Sequence, residues 1–474
     1  MGTFGKLGVR RRLGRAWFAG LLALLIAANP VTAATAGSSG AGDPYFPLQG
    51  NGGYQVTHYG LDLHWDPATD RLDGVATIAA VATQSLSAFD LDLRRQLAVS
   101  SVRVDGDAAR FEQPAPLGQE LIVKPRHAIG DGRSFTVVVT YGGVPPVVID
   151  PDGGMEGWIP TDDGAFVVGE PQGSPSWFPC NDTPTDKATF DIRVTVPKGL
   201  TAVSNGELVG PPTTDHGWTT FAWRERHPMS TYLATATVGR FVTATGMTQG
   251  GVPWYTAVDK KLDGKSSHDV LKTLPTIVDY FASRFGPYPF DSIGAIIDDA
   301  SSVGYALETT TKPLFPEVPD DVWLAHELAH QWFGDSVTLA RWRDIWVNEG
   351  FAEWSSWLWS EASGQDSAQA IFDYWYSQPA SEDWIWDPSP ADPGGPDNQF
   401  ASSIYVRGAM TLQALRVKVG DPTFFKIMKG WAAQRKYGNG TVDEFTAYAA
   451  HEAHRNLTSF FDVWLYQPGK PASW

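Results

Sequence analysis

Two histidines and a glutamate in the second half of the chain have the types and spacing for metal-dependent hydrolysis. His326 and His330 lie four residues apart in an apolar, helix-like segment, so both imidazoles project from one helix face. Glu327 lies about 100° further round that helix, where it can act on a water molecule without binding the metal. The motif predicts a zinc ion on His326 and His330 and a general base at Glu327. Two ordinary histidines on an amphipathic helix are the alternative.

A catalytic zinc ion needs a third protein ligand and one open position. Glu349 follows His330 in a second helical stretch, among aromatic residues such as Trp346 and Trp354. A carboxylate held among aromatic side chains needs a partner, and two His with one Glu form the ligand set of thermolysin-type zinc. We therefore predict Glu349 as the third ligand. Glu353, one turn later, is predicted to hydrogen-bond the far nitrogen of a ligand histidine, with a surface position as the alternative.

A second sequence, from His451 to His454, has similar letters but the wrong spacing. Its histidines are three residues apart near the end of a polar helix, where solvated histidines are common. We expect no function for this pair.

The elements that must position these residues fall into two parts. From 45 to 245, short runs alternate between apolar and polar residues, as in Leu61, Asp62 and Leu63, which is typical of antiparallel strands. From 246 to 474 helical spacing dominates, with one strand candidate at Ile293–Ile297. Helices are expected near 266–286, 319–333, 343–360, 366–377, 404–418, 421–435, 441–454 and 458–466. The predicted class is α+β: a β domain followed by a mainly helical catalytic domain.

The N-terminus has the features of a secretory signal, predicted over residues 1–33 and followed by a small-residue linker, 34–44. Five basic residues precede an apolar run, Trp17–Ala28, and Val31–Ala33 forms a small-residue cleavage site. A membrane anchor is the alternative, but this run is shorter than the roughly 20 residues that span a bilayer. We expect a secreted protein with no stable membrane insertion after signal removal.

Composition excludes other classes of partner and cross-link. The chain has 474 residues and a formal charge of −17, and its basic N-terminal segment contains no acidic residue. A body this acidic argues against nucleic acid as a partner, since phosphate binding needs clustered Lys and Arg. Cys180 is the single cysteine and cannot form an internal disulfide.

Several segments together resemble the aminopeptidase N family of gluzincin metallopeptidases. HELAHQWFGDSV followed by WVNEGFAEW is similar to that family's zinc signature, and YALET at 305–309 looks like a variant of its G-A-M-E-N motif. FPCNDTPTDKATFDI at 178–192 resembles a further family segment. The resemblance implies a saddle-like β domain, a thermolysin-like catalytic domain with one Zn²⁺ per chain, and peptide substrates with a free N-terminus.

The resemblance also implies roles for three more residues. Glu308 corresponds to the G-A-M-E-N glutamate that binds the α-ammonium group of the substrate. Glu170 matches a second amine-binding acid from the β domain. Tyr405 corresponds to the tyrosine that donates to the oxyanion of the tetrahedral intermediate. A zinc endopeptidase with the same metal site and a catalytically inactive peptide-binding protein are the rival interpretations.

The sequence also departs from the family pattern. Tyr305, Leu307 and Thr309 replace the usual Gly, Met and Asn of G-A-M-E-N, so we expect an altered pocket for the first side chain. Val168 stands where Gln is usual and Arg407 where Lys is more usual. The family's C-terminal helical domain is not part of this sequence, and we expect a more open cleft that accepts longer peptides.

Overall fold

The computed structural model describes residues 33–114 and 118–472. The predicted export signal, residues 1–33, lies outside these ranges apart from Ala33. Within them, no helix combines the length and the apolar character needed to cross a bilayer. Strands dominate up to Asp259 and helices dominate from Lys265 onward. The predicted α+β class, a β-rich part followed by a helical part, is therefore confirmed.

The main sheet of the β-rich part has side chains that alternate between the core and solvent, because successive residues of a strand point to opposite faces. Leu61 and Leu63 are buried, whereas Asp62 between them is exposed. Most neighbouring strands are antiparallel, but Ala188–Pro197 runs parallel to Tyr54–Asp66. In spatial order the strands are Glu207–Leu208, Trp218–Met229, Ala188–Pro197, Tyr54–Asp66, Arg71–Ala82, Ser134–Gly143, Leu97–Val104 and Asp107–Ala108, with Thr213–Asp215 also paired to Trp218–Met229.

Smaller sheets complete the β structure. One contains Val147–Ile149, Met155–Pro160, Ala165–Val168, Ala236–Gly239 and Thr201–Ser204, and another Thr35–Ala36, Leu86–Asp92, Glu120–Lys124 and Arg110–Glu112. A third joins the β-rich part to the helical part and contains Phe241–Met247, Pro253–Asp259, Ile293–Ile297 and Leu314–Phe315. Val337–Leu339 pairs with Gly438–Gly440 inside the helical part. Residues 304–309, called the 304–309 strip below, lie at the edge of this third sheet, because Leu307 forms a β-bridge to Leu314 in its last strand.

The helical part contains the zinc motif. Its α-helices are Lys265–Leu271, Leu274–Phe285, Asp321–Ala329, Trp346–Ser363, Ala368–Ser377, Asp383–Trp386, Ser402–Val419, Asp421–Gln434, Val442–Ala453 and Thr458–Phe461, and a π-helical turn follows at Asp462–Tyr466. The single helix predicted near 266–286 is wrong. It is two helices, because Pro275 near the start of the second has no backbone N–H to continue the first.

Two extensive apolar cores fill the described residues, one mainly in the β-rich part and one mainly in the helical part. Trp342 ties the N-terminal segment to the helical part: its backbone N donates to Asp43 Oδ2 at 2.8 Å and its Nε1 to Gln49 Oε1 at 2.7 Å. Contacts group residues 34–474 into one compact unit. The linker at 34–44 and the boundary between 45–245 and 246–474 therefore stay predictions.

Candidate metal centre and active site

The helix Asp321–Ala329 positions the two predicted metal-binding histidines. Asp320 caps its start: Oδ1 accepts a hydrogen bond from Trp323 N at 2.7 Å, which satisfies one of the free donors of the first turn. His330 directly follows the helix and keeps a helical backbone conformation, so the i, i+4 relation to His326 is preserved. The Nε2 atoms of the two rings are consequently 3.2 Å apart.

Glu349 completes a compact triangle of donor atoms. It lies in the first turn of the helix Trp346–Ser363, and its Oε2 is 3.3 Å from Nε2 of both His326 and His330. In a tetrahedral zinc site with bonds of about 2.0–2.1 Å, donor atoms are about 3.3–3.4 Å apart. The triangle thus has the dimensions of one face of such a tetrahedron, and this donor set fits zinc.

The electrostatics of the triangle favour a cation. Burial alone would lower the pKa of His330, but Glu349 and Glu308 outweigh it and raise that pKa to about 9. Burial would likewise raise the pKa of Glu349, but the two imidazoles hold it down at about 2. Histidine binds a metal as a neutral ring, so a bound ion would take the place of the protons that this anionic setting attracts.

The far ring nitrogens of both histidines are also engaged. His326 Nδ1 lies 3.2 Å from Glu353 Oε2, and Trp357 Nε1 donates to the other oxygen of Glu353 at 2.9 Å. His330 Nδ1 lies 3.0 Å from the backbone oxygen of Phe333. Contacts of this kind fix the tautomer and the orientation of a metal-binding imidazole. Of the two alternatives for Glu353, the structure favours the contact with the histidine.

Glu327 lies beside the triangle and is 5% exposed. Its Oε1 accepts a hydrogen bond from Trp323 Nε1 at 3.2 Å, which orients the carboxylate. Burial raises the pKa of Glu327, and the neighbouring His326 and His330 oppose that increase. A carboxylate with a raised pKa next to a metal triangle is suited to accept and return a proton.

Glu170 and Glu308 converge on the same place from different parts of the fold. Glu170 follows the strand Ala165–Val168, Glu308 belongs to the 304–309 strip, and each has an oxygen within 4.8 Å of one from Glu349. Glu170 Oε1 and Glu308 Oε1 are buried without a hydrogen-bond partner in the described residues. Burial and then Glu308 raise the pKa of Glu170 well above its usual value. The pair is therefore suited to a cationic group.

Gln331, next to His330, is a positioning residue that the sequence analysis did not single out. Its Nε2 donates to the backbone oxygen of Glu308 at 3.2 Å, and its Oε1 accepts from Thr311 N at 2.9 Å. These bonds connect the metal-binding segment to the strip that carries Glu308. Its place beside a ligand histidine, in the middle of the zinc motif, was the available signal.

Tyr405 stands in the first turn of the helix Ser402–Val419. Its ring centroid is 6.1 Å from that of His326, with the planes 24° apart. Burial and then the nearby carboxylates raise the pKa of Tyr405 well above its usual value, so the hydroxyl keeps the proton that it would donate.

Arg407 stabilises the position of the same helix, since it donates hydrogen bonds to the backbone oxygens of Trp464 at 2.9 Å and Val463 at 3.1 Å.

The predicted site residues all line one cavity of about 790 Å³: Glu170, Glu308, His326, Glu327, His330, Glu349, Glu353 and Tyr405. The part of its wall that the structure describes contains eight acidic residues and no Lys or Arg. These acids are Asp150, Asp152, Glu170, Glu308, Asp320, Glu327, Glu349 and Glu353. The acidic lining is therefore suited to cations, of which a metal ion is one.

Family comparison agrees with this geometry. The model described as "Peptidase family M1 domain" matches residues 320–464, and the one described as "Peptidase M1 N-terminal domain" matches residues 55–233. The chain belongs to the M1 family of zinc metallopeptidases. The family resemblance expected from the sequence, including its zinc cofactor, is confirmed.

Curated relatives from a plant and from an animal support the family assignment. Aminopeptidase M1-B from Oryza sativa subsp. japonica is 32% identical over 326 residues, which are 62% of this chain and 36% of that protein. Glutamyl aminopeptidase from Bos taurus is 28% identical over 329 residues, 64% of this chain and 34% of that protein. The match thus spans about a third of the length of these curated relatives.

Among solved structures, an M1 zinc metallopeptidase mutant from Deinococcus radiodurans, bound to a Tyr-Ser-Ala substrate, has a TM-score of 0.81 and 29% identity. The match covers 91% of this chain and 99% of that chain.

The histidine pair near the end of the chain remains apart from this site. His451 is 78% exposed and contacts Glu452 at 3.1 Å. Neither His451 nor His454 belongs to a group of three potential metal ligands in the described residues. The structure gives this pair no part in metal binding.

We expect Glu353→Gln to weaken zinc binding about 10- to 100-fold, the usual effect of losing a carboxylate that orients a ligand histidine. Competition with a chromophoric chelator measures this affinity. Glu361→Gln provides the control, since it removes an acid from the same helix outside the cavity. Equal zinc affinity in the two variants would contradict a role for Glu353.

Proposed function

We propose that this chain is a zinc aminopeptidase that hydrolyses the first peptide bond of peptides with a free N-terminus. Aminopeptidase is the name of several relatives, and the Deinococcus structure contains a peptide substrate. The observation that carries the proposal is the pair Glu170 and Glu308, two buried carboxylates beside Glu349 whose Oε1 atoms have no partner in the described residues.

The α-ammonium group of a peptide matches this pair. Its pKa is about 8, so it is largely protonated near neutral pH, and it offers several N–H donors to carboxylate oxygens. Held between Glu170 and Glu308, it would be adjacent to Glu349 and the metal triangle. The first peptide bond of the substrate would then lie over the reacting centre.

The remaining residues supply proton transfer and charge stabilisation. When bound, zinc polarises a carbonyl oxygen and lowers the pKa of a water molecule. Glu327 accepts a proton from the attacking water and returns it to the leaving amine nitrogen. The hydroxyl of Tyr405 donates a hydrogen bond to the substrate oxygen as negative charge develops there.

The rival interpretation is a zinc endopeptidase. Its substrate would have no ammonium group to place between Glu170 and Glu308. An internal peptide segment would leave Glu170 and Glu308 buried and unpaired, at a cost on the order of several kcal/mol per ion. The retained metal triangle, together with Glu327 and Tyr405, likewise disfavours an inactive peptide-binding protein.

The decisive experiment compares leucine anilide with N-acetyl-leucine anilide. We expect hydrolysis of the free amine only, and a loss of roughly 10- to 100-fold in kcat/KM for Glu308→Gln, which removes a charge-assisted contact. Glu317→Gln is the matched control, at an exposed position outside the cavity. Equal rates on the two anilides would favour the endopeptidase.

Glu327→Gln is expected to lower kcat about 10²- to 10⁴-fold, the usual contribution of a general base. The amide keeps an acceptor for Trp323 Nε1, so zinc content and KM should change little. Elemental analysis and steady-state kinetics on leucine anilide measure these quantities. A kcat within tenfold of the wild type would exclude Glu327 as the base.

We also propose that the protein is exported. The basic, apolar and small-residue segments of residues 1–33 support this. Expression of the full chain in a secreting bacterial host should release a protein whose first residue is Ala34. Retention of residues 1–33 on cell-associated protein would contradict export by cleavage.

A further inference from the structure

The cavity wall near Glu170 contains a buried carboxylate with no role in the chemistry above. Asp150 lines the cavity and is 4% exposed. Its Oδ1 accepts a hydrogen bond from Gln172 Nε2 at 2.9 Å. Its Oδ2 is buried and has no hydrogen-bond partner in the described residues. A buried carboxylate oxygen in this state is costly until a donor or cation reaches it.

This is the same condition that identifies the amine site. Glu170 and Glu308 each have one buried oxygen without a partner, and Asp150 is a third such carboxylate in the wall of the same cavity. A single ammonium group satisfies the first two. The main chain of a peptide offers no second cation, so a cationic partner for Asp150 in a bound substrate would come from a side chain.

The charges around Asp150 strengthen this requirement. Burial is the main cause of the raised pKa of Asp150. The carboxylates of Asp152 and Asp397, both exposed, add to it, whereas hydrogen bonds from Gln172 and from the backbone of Asp152 lower it. Arg94 reaches the oxygen atoms of Gln172 at 3.2 and 3.4 Å and does not line the cavity. No Lys or Arg of the cavity lining therefore offsets these carboxyl groups in the part of the chain that the structure describes.

The turn that carries Asp150 is fixed relative to the amine site. Asp150 lies between the paired strands Val147–Ile149 and Met155–Pro160. Tyr305 lines the cavity three residues before Glu308, and its hydroxyl donates to the backbone oxygen of Met155 at 2.6 Å. This bond, made by a residue that replaces the usual Gly of the motif, joins the strip of Glu308 to the turn of Asp150.

We infer that Asp150 recognises a cationic side chain on the first residue of the substrate, so that peptides beginning with Arg or Lys are preferred. Asp152 and Asp397 add negative potential at the same wall. The inference rests on the proposed aminopeptidase function, because only a bound N-terminus places the first side chain in this cavity.

The test compares kcat/KM for the anilides of arginine, citrulline, leucine and glutamate. Citrulline has nearly the shape of arginine without its charge, so the arginine-to-citrulline ratio isolates the charge. We expect this ratio to be at least about tenfold in the wild type, the size of a charge-assisted hydrogen bond. In Asp150→Asn it should fall to within about threefold. Asp215→Asn, at the exposed end of the strand Thr213–Asp215 and outside the cavity, should leave the ratio unchanged.

Each outcome decides the inference. A wild-type ratio near one, a preference for glutamate, or a ratio that survives Asp150→Asn would overturn it. Hydrolysis of leucine anilide with no preference for arginine would remove this inference alone, whereas no hydrolysis of any anilide would remove the aminopeptidase function as well. If Asp150→Asn does not fold, as judged by zinc content and circular dichroism, the exposed pair D152N/D397N should lower the ratio at least about threefold. An unchanged arginine-to-citrulline ratio in D152N/D397N would overturn the inference.

Discussion

The structure depends on the cost of placing many carboxylates in one buried cavity. Glu170, Glu308, Glu327 and Glu349 raise one another's pKa values or compete for the same two imidazoles. Carboxylates removed from water are costly unless cations or donors compensate them. Two compensating cations are available in the proposed reaction, the metal ion and the substrate's ammonium group. In the proposed reaction both would bind where the protein's own side chains leave the negative charge uncompensated.

Such an arrangement persists because rigid elements impose it. Glu349 and His326 belong to two helices that pack against each other, and Glu353 contacts His326 one turn after Glu349. Gln331 connects the end of the zinc motif to the strip of Glu308. Glu170 comes from the β-rich part. No single element could bring these like charges together, so the packing of both parts of the fold is what assembles the site.

The metal triangle could be predicted from the sequence because helix geometry alone relates its members. The i, i+4 spacing of His326 and His330 fixes their relative position, and Glu349 lies in a second helix long enough to return to them. Glu170 and Glu308 could be predicted only through family resemblance, since each is one acid among 53 and their proximity depends on tertiary packing between distant segments.

Asp150 shows where sequence reasoning fails more completely. It lies in a Gly- and Pro-rich segment, DPDGG, that predicts a turn, and turn residues of this kind are normally solvated. Its burial follows from the packing of that turn against Tyr305 and Gln172, which no local pattern encodes. The split of the helix near Lys272 is a contrasting case, because Pro275 signals it in the sequence although the apolar periodicity continues across the break.

In the proposed reaction, the spatial separation of the two cation sites would also determine where a peptide is cut. A site that bound only the metal would accept any exposed peptide bond. The pair Glu170 and Glu308 adds a second binding position, within 4.8 Å of a ligand oxygen on Glu349. The ammonium group and the first carbonyl group of a peptide are close enough together for the ammonium to contact this pair while the carbonyl contacts the metal. A second or later peptide bond could not do so without leaving the pair unpaired. Exopeptidase selectivity would then be a consequence of charge compensation, and a third unpaired carboxylate in the same wall extends that selection from the chain terminus to its first side chain.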